Sequence, residues 1–134
     1  MKINHAIETG DMSNLDQIID ANIVDHTMHG DVTGIDAVKK MFMQMHDHIS
    51  NLSIQSIANA TDGDYHFSLS RFTGTTNSEF MGMPANTPID ETNVDVVRTK
   101  NGKAVEHWEY IGPKEAMEMM NMHQEMSMDS NEPL

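Results

Sequence analysis

The stretch from residue 89 to residue 111 constrains this chain most, because two runs of strand-forming residues flank Asn101-Gly102. Asn-Gly between alternating apolar and polar residues is the strongest short-range signal for a β-hairpin, since both turn positions need positive φ. Two registers compete. A two-residue turn at Asn101-Gly102 sets Lys100 opposite Lys103 and Asp95 opposite Trp108. A three-residue turn, with Gly102 left-handed in a bulge, sets Thr99 opposite Lys103, Asp95 opposite His107 and Asn93 opposite Glu109. The second is preferred, because it separates the lysines and sorts the faces. Asn93, Asp95, His107 and Glu109 then share one face, and Val94, Val96, Trp108 and Tyr110 share the other. A polar face of this kind is either a solvated sheet surface or the lining of a site.

The rest of the chain supplies helices to lay on that sheet. Ser13 followed by Asp16 marks a brief helix start, with Leu15, Ile18 and Ile19 as its apolar face. From Gly34 the residues Ile35, Val38, Met41, Phe42 and Met45 recur at steps of three and four, which predicts an amphipathic helix to about His48. Beyond Ser50 the period becomes two, with Leu52 and Ile54 apolar, and strands are expected to begin there. Asp62-Gly63-Asp64 marks a turn, residues 65–73 alternate again, and 74–88 read as a long loop. Residues 114–126 suit a helix entered through Pro113, and 127–134 are polar enough to fray. Helices followed by a meander of strands argue for an α+β fold, a curved antiparallel sheet wrapped around N-terminal helices with an extra C-terminal helix.

Length and composition narrow the function classes. The 134 residues fit a single domain, 1–134, with a core of about 8–112 and a Met-rich tail, 113–134. No apolar run reaches the roughly 20 residues of a membrane helix, and the N-terminus lacks a signal-peptide pattern, so a cytoplasmic protein is expected. The chain has no cysteine, which excludes disulfides, zinc-thiolate sites and thiol nucleophiles. Its 8 Lys+Arg against 21 Asp+Glu give a net charge of −13, which argues against nucleic acid and anionic membranes as partners. Fourteen methionines suggest adaptable packing or pocket lining.

Several segments together resemble the SnoaL-like polyketide cyclases of the nuclear transport factor 2-like superfamily. They are Gly82-Met83-Pro84, the strand Val94-Asp95-Val96-Val97-Arg98, and Gly102-Lys103-Ala104-Val105-Glu106-His107-Trp108. Upstream, Thr9-Gly10-Asp11, Val24-Asp25-His26 and Gly34-Ile35-Asp36-Ala37 also fit, so the resemblance spans roughly residues 8 to 112. It implies a cone-shaped fold with a pocket between sheet and helices, and often a homodimer through the other sheet face. The carboxylate that serves as acid/base in such cyclases falls on Glu109, with Asp95 and His107 beside it. Asn93, His26, Met81 and Met83 are the candidate ligand-binding residues. Neither a metal nor an organic cofactor is implied. The family's catalytic residue is an aspartate, so Glu109 reaches one methylene further. Gly74-Thr75-Thr76-Asn77-Ser78 departs from the family's Gly-Thr-His-x-Gly.

Three function classes follow. The first is a cyclase or isomerase, which needs a carboxylate in a dry pocket to move a proton beside a carbonyl. The second is a carrier of a small apolar organic molecule. The third is metal handling by His26-x-x-His29 with Asp31, by His46-x-His48, or by the Met- and His-rich tail. The first two share one site and are expected ahead of the third, because His46 and His48 point apart on a helix.

Overall fold

The computed structural model describes residues 2–117. A short helix α1 (Lys2–Thr9) precedes a single 3-10 turn at Leu15–Gln17. The brief helix expected after Ser13 is reduced to that turn. Ser13 does not cap it, because its hydroxyl is held by Asp11 Oδ1 at 2.6 Å.

Two strands follow, β1 (Ile19–Thr27) and β2 (Gly30–Thr33), ahead of helix α2 (Ile35–His48). This hairpin corrects the expectation that strands begin only after Ser50. Four long strands complete the sheet: β3 (Ile49–Asp62), β4 (Tyr65–Thr76), β5 (Pro88–Lys100) and β6 (Lys103–Ile111). Their spatial order is β2-β1-β6-β5-β4-β3. Every pairing is antiparallel except β1 with β6, which is parallel. The early hairpin thus joins the sheet beside its last strand. The architecture is α+β, a six-stranded curved sheet carrying N-terminal helices.

The core forms where those helices meet the sheet. Ala6, Leu15, Ile35 and Val38 pack on Ile19 and Ile23 of β1 and Ala104 of β6, with Val97 against the cluster. This helix-bearing surface is the inner face. Full burial of each such Ile, Leu or Val contributes about 1.5–3 kcal/mol, and the seven buried members anchor one end of that face.

The β5–β6 hairpin decides what else the inner face carries. Asn101 and Gly102 both have positive φ, +53° and +77°, so the turn is the tight two-residue type. Lys100 lies directly opposite Lys103, which corrects the three-residue turn expected from sequence. A bulge follows: Thr99 pairs with Ala104 but Arg98 with Glu106, leaving Val105 as the extra residue. Asp95 consequently faces Glu109, rather than His107 or Trp108. One inserted residue reverses face alternation. Asn93, Asp95, His107 and Glu109 therefore share a face, as the preferred register had them, through a bulge at Val105 instead of Gly102. Val94, Val96, Trp108 and Tyr110 share the outer face.

Residues 113–117 begin a helix. Met117 is exposed; the remainder of the expected C-terminal helix, with the tail's other methionines and His123, lies outside the described residues.

Candidate active site

Strand alternation places the polar group beyond the apolar core on the inner face. Asp25, two residues along β1 from the buried Ile23, is itself 4% exposed. Parallel pairing sets it beside His107 on β6. Antiparallel pairing sets Asn93 and Asp95 of β5 opposite Ser70 and Ser68 of β4. Glu109 stands across from Asp95.

His107 is the hub of this group. Its Nδ1 lies 2.7 Å from Asp25 Oδ1 and its Nε2 lies 2.9 Å from Asp95 Oδ1. A neutral imidazole has one N–H to donate, so two carboxylate acceptors require the doubly protonated cation. Burial alone would lower its pKa, but the hydrogen bonds and negative charges of Asp25 and Asp95 outweigh it and raise the imidazole to about 10. His107 is an imidazolium at neutral pH. Both its N–H groups are engaged, so it offers charge to the site but no free donor. Asn93 extends the chain, donating from Nδ2 to Asp95 Oδ2 at 3.3 Å.

Glu109 is different in kind. Glu109 is an exposed residue, but its carboxyl end lies close to the atoms of the inner face. That crowding pushes its pKa up to about 7, and the charge of Asp95 adds to the effect more than His107 opposes it. A carboxyl with this midpoint can both accept and return a proton near neutrality.

Three of the expected ligand-binding positions do not join this group. His26 follows Asp25 in β1, so alternation turns it to the outer face. There it lies 2.8 Å from Asp31 and 2.6 Å from Glu106, and it stacks on Trp108 with ring centroids 5.2 Å apart. The hydrogen bond to Glu106, then that to Asp31, raises its pKa. Met81 and Met83 sit in the β4–β5 loop, off the strand face that carries the polar group. Met81 is exposed, and Met83 pairs with Phe80 across a tight turn. Phe80 in turn stacks on His48 at the end of α2.

Conversely, sequence reading passed over Asp25, Ser68 and Ser70. The signal for Asp25 was its place two residues from Ile23, which shows its face only once residues 19–27 are read as a strand. A shallow depression of about 660 Å³ lies on the outer face, lined in part by Arg98, Lys100 and Lys103. Among the described residues, no group of three or more His, Asp or Glu side chains is arranged to hold a metal ion. No described helix is long and apolar enough to cross a membrane.

The sequence matches the SnoaL-like polyketide cyclase family over residues 2–119. The chain belongs to that family. No curated protein matches it. Among solved structures it is similar to a SnoaL-like polyketide cyclase from Agrobacterium tumefaciens, at 14% identity and a TM-score of 0.74, covering 89% of this chain and 92% of that one. It is similar also to TsrD from Streptomyces laurentii, at 18% identity and a TM-score of 0.73, covering 81% of each chain. At these identities the likeness speaks for the fold.

Proposed function

We propose that the inner face of this SnoaL-like protein binds a small organic molecule, and that Glu109 moves a proton at a carbon beside a carbonyl. One observation carries the reading: Glu109 stands on the inner face directly across from Asp95, and lost solvation at its carboxyl group, with the charge of Asp95, pushes it up to about 7. In the reaction the C–H bond next to the carbonyl breaks, its proton passes to Glu109, and the electron pair enters the enolate. The proton returns to carbon or oxygen, and an enolate that attacks a second carbonyl in the same molecule closes a ring. The Asp25–His107–Asp95 chain holds Asp95 in place and supplies positive charge near the developing anion. His107 has no spare N–H, so hydrogen bonds to that anion come from elsewhere, with the Ser68 and Ser70 hydroxyls the nearest candidates on the face.

A carrier reading draws on the same saturation, since Asp25, His107 and Asp95 satisfy one another without a ligand. Deuterium exchange into a panel of small ketones decides between them. Exchange that depends on Glu109 and is lost in Glu109→Gln supports the enzyme, and ligand binding unchanged by that substitution, without exchange, supports the carrier.

The outer face is proposed as a homodimer surface. Tyr65, Phe67 and Tyr110 are 41%, 38% and 58% exposed, and with Trp108 they form an aromatic patch of the kind that marks a partner surface. A cytoplasmic setting fits the absence of cysteine and the acidic charge.

A further inference from the structure

The inner face contains a polar atom with an unmet demand. Asn93 is 8% exposed, and its Oδ1 is buried without a hydrogen-bond partner. Turning the amide over gives no relief, because Nδ2 donates to Asp95 and the exchange would set Oδ1 against a carboxylate. An unpartnered buried acceptor is costly, because it has given up its hydrogen bond to water. Ser70 stands directly opposite Asn93, but its Oγ turns to Ser68 Oγ, 3.2 Å away, and makes no hydrogen bond to Asn93 Oδ1. What Asn93 lacks is a donor.

The surrounding charge says which donor. Asp25 and Asp95 share one imidazolium, His107, so two negative charges against one positive leave a net charge of −1. Ionised Glu109, across from Asp95, takes it to −2. An anionic ligand would meet this field as repulsion and would still leave Asn93 Oδ1 unpaired. A hydroxyl would supply the donor and no charge. An ammonium supplies both, in surroundings of low dielectric where charge complementarity counts for more than in water.

We propose that the ligand of the inner face carries a protonated amine, which donates an N–H to Asn93 Oδ1 with its positive charge beside Asp95 and Glu109. This rests on the reading that the inner face binds a small molecule. Combined with the acid/base role of Glu109, it makes the substrate class an amino ketone.

The test uses the full chain and three fragments of similar shape: 2-phenylethylamine, 2-phenylethanol and 3-phenylpropanoate. Each is titrated at neutral pH by chemical-shift perturbation. The amine is expected to bind at least about tenfold more tightly than the alcohol, or roughly 1.4 kcal/mol, with the carboxylate weakest. Asn93→Leu should weaken the amine and the alcohol alike, since both would donate to Oδ1, while Glu109→Gln, which removes a negative charge, should narrow the gap between them. Asn93→Asp keeps an acceptor and adds a negative charge beside Asp95, so it should widen the preference for the amine, which preserves the test if the leucine variant does not fold. Equal or tighter binding of the alcohol or the carboxylate overturns the proposal, as does an amine that fails to bind at millimolar concentration. Glu109-dependent exchange into neutral ketones without any amine preference would overturn the amine assignment alone. Amine binding without exchange would instead remove the acid/base reading and leave the ligand class standing.

Discussion

Replacing His107 with glutamine removes the positive charge that separates Asp25 from Asp95, and the consequence should depend on pH in a defined way. In the folded protein the imidazole titrates at about 10, against an ordinary value of 6.5. At about 1.4 kcal/mol per pH unit, interactions in the folded state favour the imidazolium by at most about 5 kcal/mol. A group whose folded pKa is raised gives its stabilisation in full below the unfolded value and loses it as pH rises through the folded one. The contribution is therefore nearly complete at pH 6.5 and nearly gone at pH 10. His107→Gln should lose about 3–5 kcal/mol at pH 6.5, because two largely buried carboxylates are left without a counter-charge. By pH 10 the wild-type imidazole is half neutral, and the difference should shrink to under about 1 kcal/mol.

Urea melts of both proteins across this range measure that difference directly. Other titrating groups are common to the two chains and largely cancel. Glu109 adds a loss of stability as pH rises, but its window closes near 7. Asp95→Asn keeps the Asp25 contact and should give a smaller effect of the same sign, which covers the case of a glutamine variant too unstable to measure. A wild-type-minus-variant difference that stays level from pH 6.5 to 10 would refute the imidazolium clamp.

Carbon-13 titration of the Glu109 carboxyl should give a midpoint of about 7, and Asp95→Asn should lower it by removing a neighbouring negative charge; an ordinary carboxylate midpoint in the wild type would count against the site. Gly74→Ala should destabilise by about 1–3 kcal/mol in urea melts, since the new methyl would lie 2.5 Å from Ile49 Cγ2 and 3.2 Å from the Ser50 carbonyl oxygen, and an unchanged midpoint would show that β3 can yield. Tyr110→Glu should convert a dimer to a monomer in sedimentation, because it sets a charge in the aromatic patch; a wild-type protein already monomeric at micromolar concentration would end the dimer proposal.

Local chemistry was legible and long-range pairing was not. Helix α2 follows from the spacing of Ile35, Val38, Met41, Phe42 and Met45, and the Asp62–Tyr65 turn follows from Gly63, which takes the positive φ of +58°. Strand β1 was obscured because Ile18, Ile19 and Ile23 suit a helical spacing as well as a strand. It pairs with β2 across the short turn at Met28-His29 and with β6 about eighty residues further along, and no nearby turn announces the second contact. Without β1, nothing tells which of Asp25 and His26 looks inward.

The site itself turns on Val105. With a tight Asn101-Gly102 turn and no bulge, Asp95 would face Trp108, and the inner face would mix an aromatic residue with carboxylates. The extra residue at Val105 restores the alternation, so His107 and Glu109 face inward while Trp108 and Tyr110 face outward. The same alternation runs through the parallel partner, where Asp25 pairs with His107 and His26 with Trp108. Each imidazole consequently ends between two carboxylates, His107 inside with Asp25 and Asp95, His26 outside with Asp31 and Glu106. Sequence polarity was enough to sort the residues of β5 and β6 onto two faces, since the unbulged register sets Asp95 opposite Trp108. It could not assign the histidines their partners, because those partners sit on β1 and β2. The chemistry at Glu109 depends on that assignment, for His107, held by Asp25, fixes Asp95 in the place from which its charge raises the glutamate.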